Sequence, residues 1–158
     1  MGAILNELVI VPEKPESDQA QSLMNRMYQE LTPLYGGTAE GRFSQLDFRQ
    51  GGSVFVIARI GDQPIACGAL VWLEENVAEI KRMFVEPAWR GRGVARVVLA
   101  DLERRARTFG YRKLRLETGI RQPTAIGLYE SAGYQRIPPY GRHVGDLLSV
   151  CFEKEMLV

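Results

Sequence analysis

The stretch Arg90-Gly91-Arg92-Gly93-Val94-Ala95 constrains this chain more than any other. An apolar-alternating segment, Ala78 to Val85, runs up to it, and a long amphipathic pattern, Val94 to Phe109, runs away from it. Strand, glycine turn and helix start thus follow one another, which is a recipe for holding an anion. The first helical N–H groups lack an intrahelical partner and sit at the positive end of the helix dipole. Gly91 and Gly93 let a bulky phosphate approach the backbone, because no Cβ stands in the way.

The rest of the chain reads as short elements around that turn. Leu5 to Val11 is a strand ending at Pro12, and Ser17 caps a helix from Asp18 to about Leu31, which Thr32-Pro33 ends. A Gly-rich loop follows, with a short second helix over Phe43 to Arg49. Ser53 to Ile60 and Pro64 to Leu73 form a hairpin around Gly61-Asp62, and Val77 to Val85 is the next strand. After the turn come a helix closed by Gly110, a strand from Lys113 to Glu117, and a helix opened by Pro123 and ended by Gly133. Tyr134 to Ile137 and Leu147 to Glu153 are the last two strands. Three antiparallel strands followed by a β-α-β crossover imply one mixed α/β sheet with helices packed on it. We read the 158 residues as a single domain.

Charge is unevenly spread. Residues 1–79 carry 5 basic and 11 acidic side chains, whereas residues 80–158 carry 15 and 8, so the half with the glycine turn is suited to an anion. A near-neutral total and aromatics that do not alternate with basic residues argue against nucleic acid as a partner. No apolar run reaches membrane-spanning length, and no basic-then-apolar leader opens the chain, so a cytoplasmic protein is expected. Cys67 and Cys151 each sit in an apolar run and read as small buried hydrophobes.

Which phosphate compound the turn holds is narrowed by what is missing. A P-loop needs Gly-Lys-Ser/Thr, but Val94-Ala95 follows Gly93. A dinucleotide fingerprint wants a third glycine where Arg96 stands, and parallel strands before the turn. One histidine, His143, without a neighbouring His or Cys gives no reason to expect a metal.

The run from Met83 to Ala95 resembles the acetyl-CoA motif of the GNAT family of N-acetyltransferases, Arg/Gln-x-x-Gly-x-Gly/Ala. Gln122 to Tyr134 resembles the family's Asn-x-x-Ala-x-x-x-Tyr-x-x-x-Gly-Phe segment, with Gln122 in place of the usual Asn. The resemblance implies a mixed, mostly antiparallel sheet of about seven strands flanked by about four helices. It also implies acetyl-CoA as co-substrate, without a metal. CoA pyrophosphate would rest on the backbone N–H groups from Arg92 through Gly93 and Val94 to Ala95, with charge from Arg90 and Arg92. The free edge of Met83, Phe84 and Val85 would pair with the pantetheine arm, where a backbone N–H could polarise the thioester carbonyl. Tyr129 matches the family tyrosine that contacts the CoA sulfur and protonates the leaving thiolate.

Attack by an amine requires loss of a proton from its ammonium form. Glu79, eleven residues before Arg90 as in histone-type members, is the candidate base. Strand alternation places Glu79 and Lys81 on one side and Ile80, Arg82 and Phe84 on the other. Tyr35, Glu40 and Arg42 are expected on one wall of an acceptor site, and Tyr140, Arg142 and His143 on the other. Arg142 is the candidate to hold an acceptor carboxylate. The first reading is acetyl transfer to a small amine or amino-acid-like acceptor in a ternary complex. A protein lysine or N-terminal amine, and a CoA-binding module without turnover, stay open. The sequence also leaves a homodimer open.

Overall fold

The computed structural model describes residues 2–36 and 46–157. A short helix, α1 (Gly2–Glu7), precedes strand β1 (Leu8–Pro12), so the expected strand start at Leu5 is corrected by three residues. Leu5 instead packs on the core beside Gly93, at 3.6 Å from where a Cβ there would lie. Ser17 caps α2 (Asp18–Tyr35) as expected, its Oγ accepting the Ala20 N–H at 3.1 Å. Pro33 does not end α2. It lies in the last turn, where few intrahelical bonds remain to be lost, and the end of the helix is fastened elsewhere. Leu46 to Arg49, the described part of the expected second helix, is not helical, and residues 43–45 lie outside the described residues. Asp47 makes a local two-point contact with Arg49 in that segment instead.

Strands β2 (Val54–Ile60), β3 (Gln63–Glu74) and β4 (Val77–Val85) form the expected antiparallel meander. Helix α3 (Val94–Phe109) crosses over to β5 (Lys113–Gly119), which pairs parallel with β4. Helix α4 (Pro123–Ser131), β6 (Gln135–Ile137) and β7 (Ser149–Glu155) complete a seven-stranded sheet in the order β1-β2-β3-β4-β5-β7-β6.

Each face of the sheet has its own core. Val94, Val98, Leu102 and Ala106 of α3 bury against Val56, Ala58, Leu70 and Ile80, with α4 contributing Tyr129 on the same side. Ala20, Leu23, Met24, Met27 and Leu31 of α2 bury against Phe55, Ile57, Ala69, Val71 and Phe84 on the other. Burying each large aliphatic side chain stabilises by about 1.5–3 kcal/mol, which holds both helices on the sheet. Cys67 and Cys151 are free and buried, as expected.

Two irregularities of β4 open and shape the sheet beside it. Its pairing with β5 runs only from Val77 opposite Lys113 to Ile80 opposite Leu116. Beyond that, β5 continues along β7, and among the described residues no strand lies beside the edge from Lys81 to Val85 on that side. The second is a bulge: Cys67 pairs with Phe84 but Ala69 with Lys81, so Arg82 and Met83 together face Gly68. Arg82 takes φ +57° to make the bend, and its Nε donates to the Tyr28 hydroxyl at 3.2 Å. The bulge shifts the alternation by one. Ile80 belongs to the α3 face, whereas Arg82 and Phe84 turn to the α2 face, which corrects the expectation that all three share a side.

Candidate active site

The gap between β4 and β5 opens into a cleft of about 640 Å³. Met83, Phe84 and Val85 line it along the free edge, Met27 and Leu31 from α2, and Gln122, Ala125 and Tyr129 from the α4 side. Gly91, Gly93, Val94 and Ala95 line its far end. Gly91 and Gly93 hold φ of +75° and +82°, the left-handed region that favours glycine. Gly93 is the N-cap of α3 and offers no side chain to the first helical N–H groups, which are therefore left for a ligand.

Arg90 lines the cleft, but its guanidinium is engaged within the protein. Nε donates to the Val85 carbonyl at 2.9 Å, Nη2 meets Glu30 at 2.6 Å, and the plane lies 5.5 Å from the Phe84 ring centre. Arg92 stacks over Trp89 at 5.1 Å and is not among the lining residues. Two other cations, Arg96 and Arg121, line the cleft instead. Arg96 stands in the first turn of α3 and donates to Ser131 at 2.5 Å, while Arg121 donates to the Leu34 carbonyl at 2.6 Å. Sequence reading passed over both. Arg96 was legible from its place in the first turn of the helix, whereas Arg121 depends on how α2 crosses the sheet.

Tyr129 is 5% exposed, set edge-on to Tyr134 at 5.8 Å and tilted against Phe152 at 6.1 Å. Burial pushes its hydroxyl pKa well above the ordinary value, so it stays protonated near neutrality. Its hydroxyl makes no hydrogen bond to any described residue.

A smaller cavity of about 220 Å³ shares Met83, Gln122 and Tyr129 with the cleft. Its polar lining is Tyr35, Lys81, Arg82, Glu117, Thr118, Arg142, His143 and Asp146, set beside the apolar Met27, Leu31, Ile80 and Ala125. Gln122 Oε1 accepts both the Tyr35 hydroxyl at 3.0 Å and the Gly119 N–H at 3.1 Å. Tyr35, Arg142 and His143 thus meet around one space. Glu40 and Arg42 lie outside the described residues.

Glu79 and Tyr140 stand behind that wall. Glu79 is 7% exposed, accepts the Tyr140 hydroxyl on Oε2, and has Oε1 at 3.1 Å from Lys81 Nζ. Neither Glu79 nor Tyr140 is among the residues lining the two cavities. Burial, and then the Glu79 carboxylate, push the Tyr140 pKa well up. Among the described residues, no group of three or more His, Cys, Asp or Glu could hold a metal ion.

The family model for the acetyltransferase (GNAT) family matches residues 20–134. The chain is similar to the IAA acetyltransferase of Azospirillum brasilense, with 32% identity over 150 residues that cover 94% of this chain and 98% of the relative. Its fold is similar to a crystal structure described as an acyl-CoA N-acyltransferase from Klebsiella pneumoniae. That match has TM-score 0.78 and 30% identity, and covers 95% of this chain and 98% of that one. A GNAT family acetyltransferase from Elizabethkingia anophelis with acetyl-CoA bound shares the fold at TM-score 0.69 and 17% identity, over 95% of this chain and 99% of that one.

Proposed function

The chain belongs to the GNAT family and is an acetyl-CoA-dependent N-acetyltransferase, and on that premise we propose that its acceptor is a primary amine on a small, amino-acid-like molecule. The observation carrying this reading is the cavity of about 220 Å³ that shares Tyr129 with the cleft. Its size suits a compact acceptor, and it is lined by both signs of charge: Lys81, Arg82 and Arg142 against Glu117 and Asp146. A molecule carrying an ammonium and a carboxylate complements such a lining.

In this reading acetyl-CoA occupies the larger cleft. Its pyrophosphate meets the first N–H groups of α3 past Gly91 and Gly93, with Arg96 and Arg121 adding charge. The pantetheine arm extends along Met83 to Val85, taking the place of a neighbouring strand. Tyr129, protonated and at the junction of the two cavities, donates its proton to the thiolate as it leaves. The amine attacks directly in a ternary complex, and residues 1–158 act as one transferase domain.

Calorimetric titration with acetyl-CoA, followed by thiol release with panels of small amines and of lysine peptides, tests this. Saturable acetyl-CoA binding that Gly93→Glu abolishes, with turnover of amino-acid-like amines, is the expected result. Turnover of peptides alone would move the acceptor to protein amines. Binding with no turnover of any amine would leave a CoA-binding module.

A further inference from the structure

We propose that the imidazole of His143, oriented by Glu117, takes the proton from the attacking ammonium; this rests on acetyl transfer to an amine as the reaction. The competing base is a carboxylate on β4, and Glu79 is poorly placed for the role. Tyr140 occupies one of its oxygens, Lys81 faces the other, and it lines neither cavity. His143 lines the same small cavity as Tyr129, so a nitrogen base and a proton donor face one space.

The imidazole is held from two sides. Nδ1 lies 3.4 Å from Glu117 Oε2 on β5, and the ring meets Tyr140 edge-on at 5.5 Å. A carboxylate beside Nδ1 favours the tautomer with the proton on that nitrogen, leaving the Nε2 lone pair to accept. Nε2 makes no hydrogen bond to any described residue. Glu79 then acts through Tyr140: it fixes the hydroxyl of the ring against which His143 packs, which makes Glu79 a positioning residue.

The electrostatics agree. Burial lowers the His143 pKa, and Arg142 and Lys81 push the same way. Glu79 and Asp146 oppose them, and the Glu117 carboxylate faces the ring beside Nδ1. The net direction is downward, so the ring is neutral, and able to accept a proton, at pH 7.

Atoms and protons balance. One N–H bond of the ammonium breaks and its proton passes to Nε2 of His143. The nitrogen lone pair forms the C–N bond to the thioester carbonyl carbon, the C–S bond breaks, and the thiolate takes the Tyr129 proton. The second proton lost by nitrogen as the amide forms restores Tyr129, and the imidazolium returns its proton to solvent. One proton is released per acetyl group moved.

His143 is the only histidine in the chain, so its imidazole nitrogens give one set of NMR signals without ambiguity. In the full-length protein the expected signals are those of a neutral ring protonated on Nδ1 at pH 7.5, and Glu117→Gln should disturb that tautomer. With the amine identified by the acceptor screen, His143→Gln should retain acetyl-CoA binding and lose about 10²–10⁴-fold in kcat/KM at pH 7. The rise of kcat/KM with pH through the His143 titration should vanish in that variant, and Glu79→Gln should preserve the rise while lowering its height. A ring cationic at pH 7.5, or protonated on Nε2, overturns the proposal even if no amine is turned over. So does a His143→Gln enzyme with the wild-type pH profile, or loss of that profile in Glu79→Gln alone. Absence of any acetyl transfer by the wild type instead overturns the transfer reading, a separate outcome.

Discussion

The Tyr35 hydroxyl and the Gly119 N–H both donate to one oxygen, Oε1 of Gln122, at 3.0 and 3.1 Å. The last turn of α2 is thereby fastened to the point where β5 gives way to α4. Arg121, bonded to the Leu34 carbonyl, adds a second tie beside it. Together they span the gap that β4 and β5 leave open. Gln122→Ala removes the shared acceptor, and we expect it to lower unfolding free energy by about 1–2 kcal/mol in a urea titration. The acceptor KM should rise in the same variant while acetyl-CoA affinity changes less. Gln122→Asn shortens the reach by a methylene, so it should recover only part of the loss.

Gly68 faces the bulge, and a Cβ there would lie 2.8 Å from Met83 Sδ, 3.0 Å from Leu102 and 3.1 Å from Val98. Gly68→Ala therefore overpacks the α3 face, at about 1–3 kcal/mol of stability measured by denaturant. Because Met83 belongs to the free edge, acetyl transfer should fall by more than the loss of folded protein explains.

Arg90 and Glu30 form an ion pair whose side chains are 43% and 41% exposed. At that exposure solvent screens the pair, so Glu30→Gln should change stability by no more than about 1 kcal/mol. Arg90→Met also removes the bond to the Val85 carbonyl, which ties the glycine turn to β4. A loss of about 1.4 kcal/mol there appears as a roughly tenfold rise in acetyl-CoA Kd. The two variants should thus separate clearly by calorimetry.

The lowered pKa of His143 carries a sign for stability. Between its folded pKa and the ordinary value near 6.5, the unfolded chain binds a proton that the folded chain refuses. That contribution is complete above about pH 6.5 and is lost as pH falls through the folded value. His143→Gln lacks it, so the wild type should lose stability relative to the variant across that window. Paired urea titrations from pH 7.5 to 5 would show it.

Burial pushes the Cys67 thiol up to about 12, and it also raises the Cys151 thiol. Few thiolates exist at either position near pH 8. Alkylation followed by mass spectrometry should label neither in the native protein within the time that labels both in urea.

Much of the fold was legible from local chemistry. Ser17 as a cap, Pro123 opening α4, Gly110 closing α3 and the Gly61-Asp62 hairpin all act on the few residues beside them. The glycine turn could be read for the same reason, since its left-handed φ values and its uncapped helix start are properties of adjacent residues. Where distant parts meet, the reading failed. Leu5 left its strand to pack beside Gly93, and α2 ran through Pro33 to reach Gln122.

The sequence by itself determined that a strand, a tight turn and an uncapped helix follow one another, and that Tyr129 follows at a set distance along the chain. Only the tertiary structure decided what lines the smaller cavity. A bulge at Arg82 turns Arg82 and Phe84 onto the face opposite Ile80. Pairing sets Glu79 behind Tyr140 and Lys81, and a loop brings His143 to Glu117. The glycine turn is made of backbone from one short stretch, whereas the smaller cavity is lined by side chains from α2, β4, β5, α4 and the loop before β7, which become neighbours only when helices and loop pack onto the sheet.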